Sequence, residues 1–174
     1  TNDNSESDVL SFVLGRYRAF YQEQNVAVDI IQAVLAKAPS APLDFEQRVK
    51  AIAHFKTLPE AQALAAANKR VGNILAKFDG ELYPEFNSTL AQENAEKALA
   101  SAFDDIKGNV KSSIETNDYQ SVLSSLSTIK DAVDNFFEHV MVMADDEQVK
   151  INRLTLLNDI RNSFLVVGDI SLLQ

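Results

Sequence analysis

A chain of 174 residues, 46% hydrophobic and 24% charged, has the composition of one globular domain with room for an apolar core, which excludes a disordered tail. It contains no cysteine, which excludes disulfides and thiolate metal sites and fits a reducing cytoplasmic setting. No run approaches the roughly 18 apolar residues of a membrane helix. The formal net charge of −9 argues against a generic nucleic-acid binder, because phosphate affinity is carried mostly by Lys and Arg. The charge is unevenly spread, with residues 16–77 holding nine bases against five acids and residues 78–174 seven against seventeen.

Thr1 to Ser7 is polar and acidic with nothing to bury, and reads as a linker or chain end; the single helical domain is expected over 8–174. From Asp8, a candidate cap, Val9, Phe12, Val13, Tyr17 and Phe20 recur at helical spacing, and Asn25 ends that helix. A second helix begins near Val26 and carries Ile30, Ile31, Val34 and Leu35. Pro39 and Pro42 then break the chain, since each disfavours helix at the residue before it. Asp44 caps a third helix bearing Phe45, Val49, Ile52 and Phe55, and Pro59 suits the first position of a fourth that runs to about Phe78. Asp79-Gly80 and Pro84 mark a loop. Two long amphipathic helices follow, roughly 90–115 and 118–140. The second has Val122, Leu126, Ile129, Val133, Phe136 and Val140 in the alternating steps of a bundle seam. Asp145 or Asp146 caps a last helix reaching Gln174. The expected fold is all-α, a single bundle of about seven helices.

Chemistry is mostly missing from this pattern. His54 and His139 have no metal-binding partner at helical spacing, and the Glu-x-x-His motif of di-metal bundles does not occur. There is no phosphate loop, dinucleotide fingerprint or nucleophile elbow. The acidic pairs Asp104-Asp105 and Asp145-Asp146 read better as helix-surface and capping residues than as a cation site. No catalytic residue and no cofactor is assigned to this chain.

The fourth helix stands apart. At 100° per residue, Leu64, Val71, Leu75 and Phe78 form one stripe, and Lys69, Arg70, Asn73 and Lys77 fall opposite. A plain solvated face explains that pattern as well as a binding face does.

The run Ala65-Ala66-Ala67-Asn68-Lys69-Arg70-Val71-Gly72-Asn73-Ile74-Leu75 resembles the beta subunit of the tetrameric bacterial glycyl-tRNA synthetases. So do Val133-Asp134-Asn135-Phe136-Phe137-Glu138-His139-Val140-Met141-Val142-Met143, then Asn152-Arg153-Leu154, and the closing Asp169-Ile170-Ser171-Leu172-Leu173-Gln174. Together with weaker matches from Arg16 onward, the resemblance spans about residues 9–174. One departure is Lys130-Asp131-Ala132, where the family has a proline before the Val-Asp pair.

The resemblance implies the subunit's C-terminal, DALR-like anticodon-binding domain, which grips glycine tRNA and leaves catalysis to the alpha subunit. It also implies a fragment: upstream beta-subunit domains and the alpha subunit are its partners, and ATP and magnesium serve the whole glycine–tRNA ligase elsewhere. Glycine anticodons end in two cytosines, whose N4 amino groups are read by carboxylates or amide oxygens, so an acidic domain can read them. The residues assigned to tRNA are Arg16, Asn68, Lys69, Arg70, Asn73, Lys77 and Arg153. Arg48 and Lys50 extend the basic surface, and Lys150, Arg153 and Arg161 offer a second strip. The competing expectation is a helical protein-interaction module that packs on other synthetase domains without touching tRNA.

Overall fold

The structure, a computed structural model, describes residues 2–174, with side chains from Ser5 onward. Its helices are α1 (Asn2–Glu23), α2 (Val28–Leu35), α3 (Pro42–Lys56), α4 (Ala61–Ala76), α5 (Asn94–Glu115), α6 (Tyr119–Ser127), α7 (Lys130–His139) and α8 (Glu147–Leu165). Short 3-10 turns cover Ser88–Leu90 and Ile170–Leu172. No strand occurs among the described residues. Thr1 lies outside them; the rest of the anticipated linker, from Asn2, belongs to α1, whose residues from Ser5 to Val9 are exposed.

Helix ends follow local chemistry. α1 gives way to Asn25 at φ 60°, a left-handed geometry that asparagine tolerates. Pro42 opens α3, where its missing N–H costs nothing. Glu93 and Glu96 form a reciprocal capping box on α5, and the Asp146 carboxylate accepts from the Gln148 and Val149 amides to start α8. The single helix expected over 118–140 is two. The Ser127 and Thr128 hydroxyls donate back to the carbonyls of Leu123 and Ser125, and α6 ends there. The seam survives the break: Val122, Leu126, Ile129, Val133, Phe136 and Val140 are all buried. The last helix also stops earlier than expected, at Leu165, with Asp169 capping the closing turn.

α6 lies between α3 and α5, while α4 packs on α7, α8 and the C-terminal turn. Phe45, Phe55, Leu99, Leu126, Phe136, Leu154 and Phe164 fill the centre. The non-helical stretch before α5 is pinned along α8: Asn87 N–H donates to Asn152 Oδ1 at 2.7 Å, Asn152 Nδ2 returns a bond to Asn87 O at 2.9 Å, and Tyr83 N–H donates to Thr155 Oγ1 at 3.0 Å. This scaffold holds α4 with one side in the core and the other in solvent.

Candidate nucleic-acid interface

α4 is built from good helix formers, six of them alanine, and carries no acid between Ala61 and Ala76. Leu64, Ala65, Asn68 and Val71 are buried. On the outer side, exposed Ala66, Lys69, Arg70, Asn73 and Lys77 border, with half-buried Ile74, a shallow depression of about 340 Å³. Among the described residues, seven of the sixteen Lys and Arg side chains are taken up in ion pairs, and Lys69, Arg70 and Lys77 are not among the seven. Arg70 is oriented instead by α7: its guanidinium stacks over the Phe137 ring at 4.4 Å, and Phe137 stands edge-on to Phe136 at 5.5 Å. One face of the guanidinium is thereby covered, while the residue as a whole stays exposed. Lys77 is the C-cap of α4, where the helix dipole favours a cation.

Four assigned residues, Lys69, Arg70, Asn73 and Lys77, are therefore brought together on one face. The other three are not. Asn68 is buried, and its Nδ2 donates to Leu64 O at 2.9 Å, so it offers nothing to a base. It lies only 40° around the helix from Leu64, and the apolar stripe already placed it inward. Arg153 is buried as well. It pairs with the wholly buried Glu96 at 3.2 Å and donates to Met141 O at 2.7 Å, tying α8 to the start of α5 and to the α7–α8 loop. Arg16 is exposed, but α1 packs on α2 and, through Tyr17 and Tyr21, on Phe45 of α3. Arg16 lies over Phe12 at 5.7 Å and lines a separate concavity with Phe20, Pro42 and Leu43.

The extensions of the basic surface fare similarly. Arg48 is a core residue whose guanidinium bonds Asp44, Tyr119 and the carbonyls of Val166 and Val167. Burial pushes the Asp44 carboxyl up, but hydrogen bonds from Tyr119 and Arg48, with the Arg48 charge, hold it below its ordinary value. Lys50 is exposed and pairs loosely with Glu46 at 3.5 Å. Lys150 pairs with Glu147 at 2.6 Å, so the strip proposed on α8 reduces to Arg161.

Fold and face together describe an all-helical domain that presents one acid-free cationic helix side while keeping Arg48 and Arg153 for internal bonding. The DALR anticodon binding domain matches residues 64–167, from α4 through α8. The chain belongs to that family. It is 62% identical over 173 residues to the glycine–tRNA ligase beta subunit of Colwellia psychrerythraea, a match covering 99% of this chain and 25% of the relative. Over all 174 residues it is 59% identical to the beta subunit of Vibrio parahaemolyticus and 58% identical to that of Vibrio campbellii, again covering 25% of each relative. The chain thus spans about a quarter of the length of these relatives. The matched segment contains the whole α4 face and excludes Arg16.

Proposed function

We propose that this chain is the tRNA-gripping, anticodon-reading domain of a glycine–tRNA ligase beta subunit, and that α4 is its contact helix. The observation that carries the reading is the convergence of Lys69, Arg70 and Lys77, unpaired in ion bridges, with Asn73 on one acid-free face inside the segment that matches an anticodon binding domain. Lys69 and Lys77 hold backbone phosphates as point charges. Arg70, oriented by Phe137, offers its edge to a phosphate. Asn73 accepts from a cytosine N4 amino group through Oδ1 and can donate to a neighbouring acceptor. Unpaired loop bases suit this recognition, because they can be splayed out and read along their edges.

On this reading the protein works in the cytosol beside the other beta-subunit domains and an alpha subunit. On the same reading the ATP and magnesium of the ligase reaction act outside these residues. The test is tRNA binding as a function of salt. Lys69→Glu with Arg70→Glu is expected to lower affinity for glycine tRNA at least tenfold and to flatten its salt dependence by about two in slope. Unchanged affinity and slope would remove the face from consideration.

A second reading is favoured by a different observation. Val9, Phe12, Phe20 and Leu43 expose large apolar side chains on α1 and α3. That surface suits packing against another part of a synthetase and shares no residue with the cationic α4 face.

A further inference from the structure

Arg161 behaves unlike the other arginines that α8 and α3 carry inward. Arg48 and Arg153 each bond internal oxygens through their Nη groups, although the Arg153 Nε, like that of Arg161, is enclosed without a partner. Arg161 is half-buried, its Nε is enclosed with no partner, and among the described residues it makes no hydrogen bond or ion pair. Its guanidinium reaches from α8 to Gly72 of α4. A methyl group placed on Gly72 would lie 3.2 Å from Nε, 3.3 Å from Nη2 and 3.5 Å from Cζ. The Nε–Nη2 edge therefore faces the bare glycine, and Nη1 lies farther from it than these three atoms. Gly72 has no left-handed backbone to justify it, and glycine inside a helix is less stable than alanine. The guanidinium is what occupies the space that a side chain there would take.

Gly72 adjoins Asn73 and lies three residues beyond Lys69, a spacing that makes the two positions neighbours on a helix surface. Arg161 thus stands at the α8 edge of the α4 face, as Arg70 stands at its α7 edge. We infer that Arg161 is a fourth cation of the RNA-binding face, seated on Gly72 and clasping a backbone phosphate through its outer Nη atoms. The inference rests on the RNA-binding reading above. A charge left without an internal acceptor at the margin of a cationic face is completed by an external anion, and a guanidinium matches phosphate with two parallel bonds.

The test uses the full 174-residue chain and a glycine tRNA transcript in filter binding across a salt series, with Arg161→Gln, Arg161→Lys, Gly72→Ala, the Gly72→Ala/Arg161→Gln double variant and Lys69→Gln. Gly72→Ala meets only the far end of a flexible side chain, so it moves the guanidinium without disturbing the helix. Arg161→Gln is expected to weaken binding about fivefold to tenfold and reduce the salt slope by about one. Gly72→Ala is expected to weaken it by a smaller factor, the double variant to be no weaker than Arg161→Gln, and Arg161→Lys to restore the slope. Three results would overturn the inference: Arg161→Gln leaving affinity and slope intact while Lys69→Gln lowers both, a loss of affinity without a change in slope, or a double variant showing the sum of the single losses. Failure of Lys69→Gln as well would overturn the RNA-binding reading with it, as would the absence of binding by the unsubstituted chain at low salt.

Discussion

Replacing Arg48 with methionine keeps much of the side chain's bulk and removes its charge from the junction of α3, α6 and the end of α8. The change strands the Asp44 carboxylate, breaks the 2.9 Å bond to Tyr119 Oη, and leaves the carbonyls of Val166 and Val167 without their donor. It also removes the guanidinium stacked 4.3 Å from the Tyr119 ring centre. Breaking one side of a buried ion pair costs about 3–5 kcal/mol. The Asp44 side chain is 28% exposed and can regain water, so the lower end, about 3 kcal/mol, is the expected loss. At about 2–4 °C per kcal/mol for a chain of this size, the melting temperature falls by about 6–12 °C. Arg48→Lys retains the charge without the fork and is expected to lose about half as much. Thermal and urea unfolding at pH 7 measure both. The sign of the pH dependence follows from Asp44, whose pKa is lowered in the folded state: its contribution is present above the ordinary value of 3.8 and disappears as pH falls through the depressed one, so parent and variant converge in acid. Measured below its melting temperature, Arg48→Met is expected to bind tRNA as the parent does. A variant within 0.5 kcal/mol of the parent, but with weakened and salt-flattened tRNA binding, would refute this and restore Arg48 to the surface.

Two further expectations concern the scaffold. Gly168→Ala places a Cβ 2.6 Å from Ile52 Cδ1 and 2.8 Å from Ala33 O; the second cannot give way easily, because that carbonyl also accepts from Asp169 N–H at 2.9 Å. Overpacking of this kind costs about 2 kcal/mol, or a fall of about 4–8 °C on a calorimetric scan. Asp159 is pushed up by burial, against a weaker pull from Lys107. A raised carboxyl stabilises the fold only at low pH and loses that contribution as pH rises through its folded value, so Asp159→Asn is expected to raise the melting temperature at pH 7 and to have no such effect below the ordinary value of 3.8.

Helical periodicity made the bundle legible because it reports which side of each helix is dry. The seam from Val122 to Val140 was readable through a helix break that it did not reveal, since hydroxyl back-bonding by Ser127 and Thr128 leaves the apolar spacing unchanged. The α4 face was readable for the same reason. Arginine defeats this logic. Arg48 and Arg153 look like surface charges in sequence, yet partners 118 and 57 residues away satisfy them in the interior. The available cue for Arg153 was its setting, since residues 152–157 are all buried and give α8 no wet side there. Asn68 has the residue type of a base reader, but its angle on α4, 40° from Leu64, turns it inward. The stacking of Arg70 on Phe137, 67 positions along the chain, has no local signature at all.

Discrimination at the anticodon tests the central claim most directly. Affinities of the chain for a glycine tRNA transcript and for one with both anticodon cytosines replaced are to be compared, in the parent and in Asn73→Ala. The account predicts at least tenfold preference by the parent, consistent with about 1–3 kcal/mol for each well-read base, and a clear loss of that preference in Asn73→Ala while the salt slope is kept. Equal affinity of the parent for the two transcripts would contradict it.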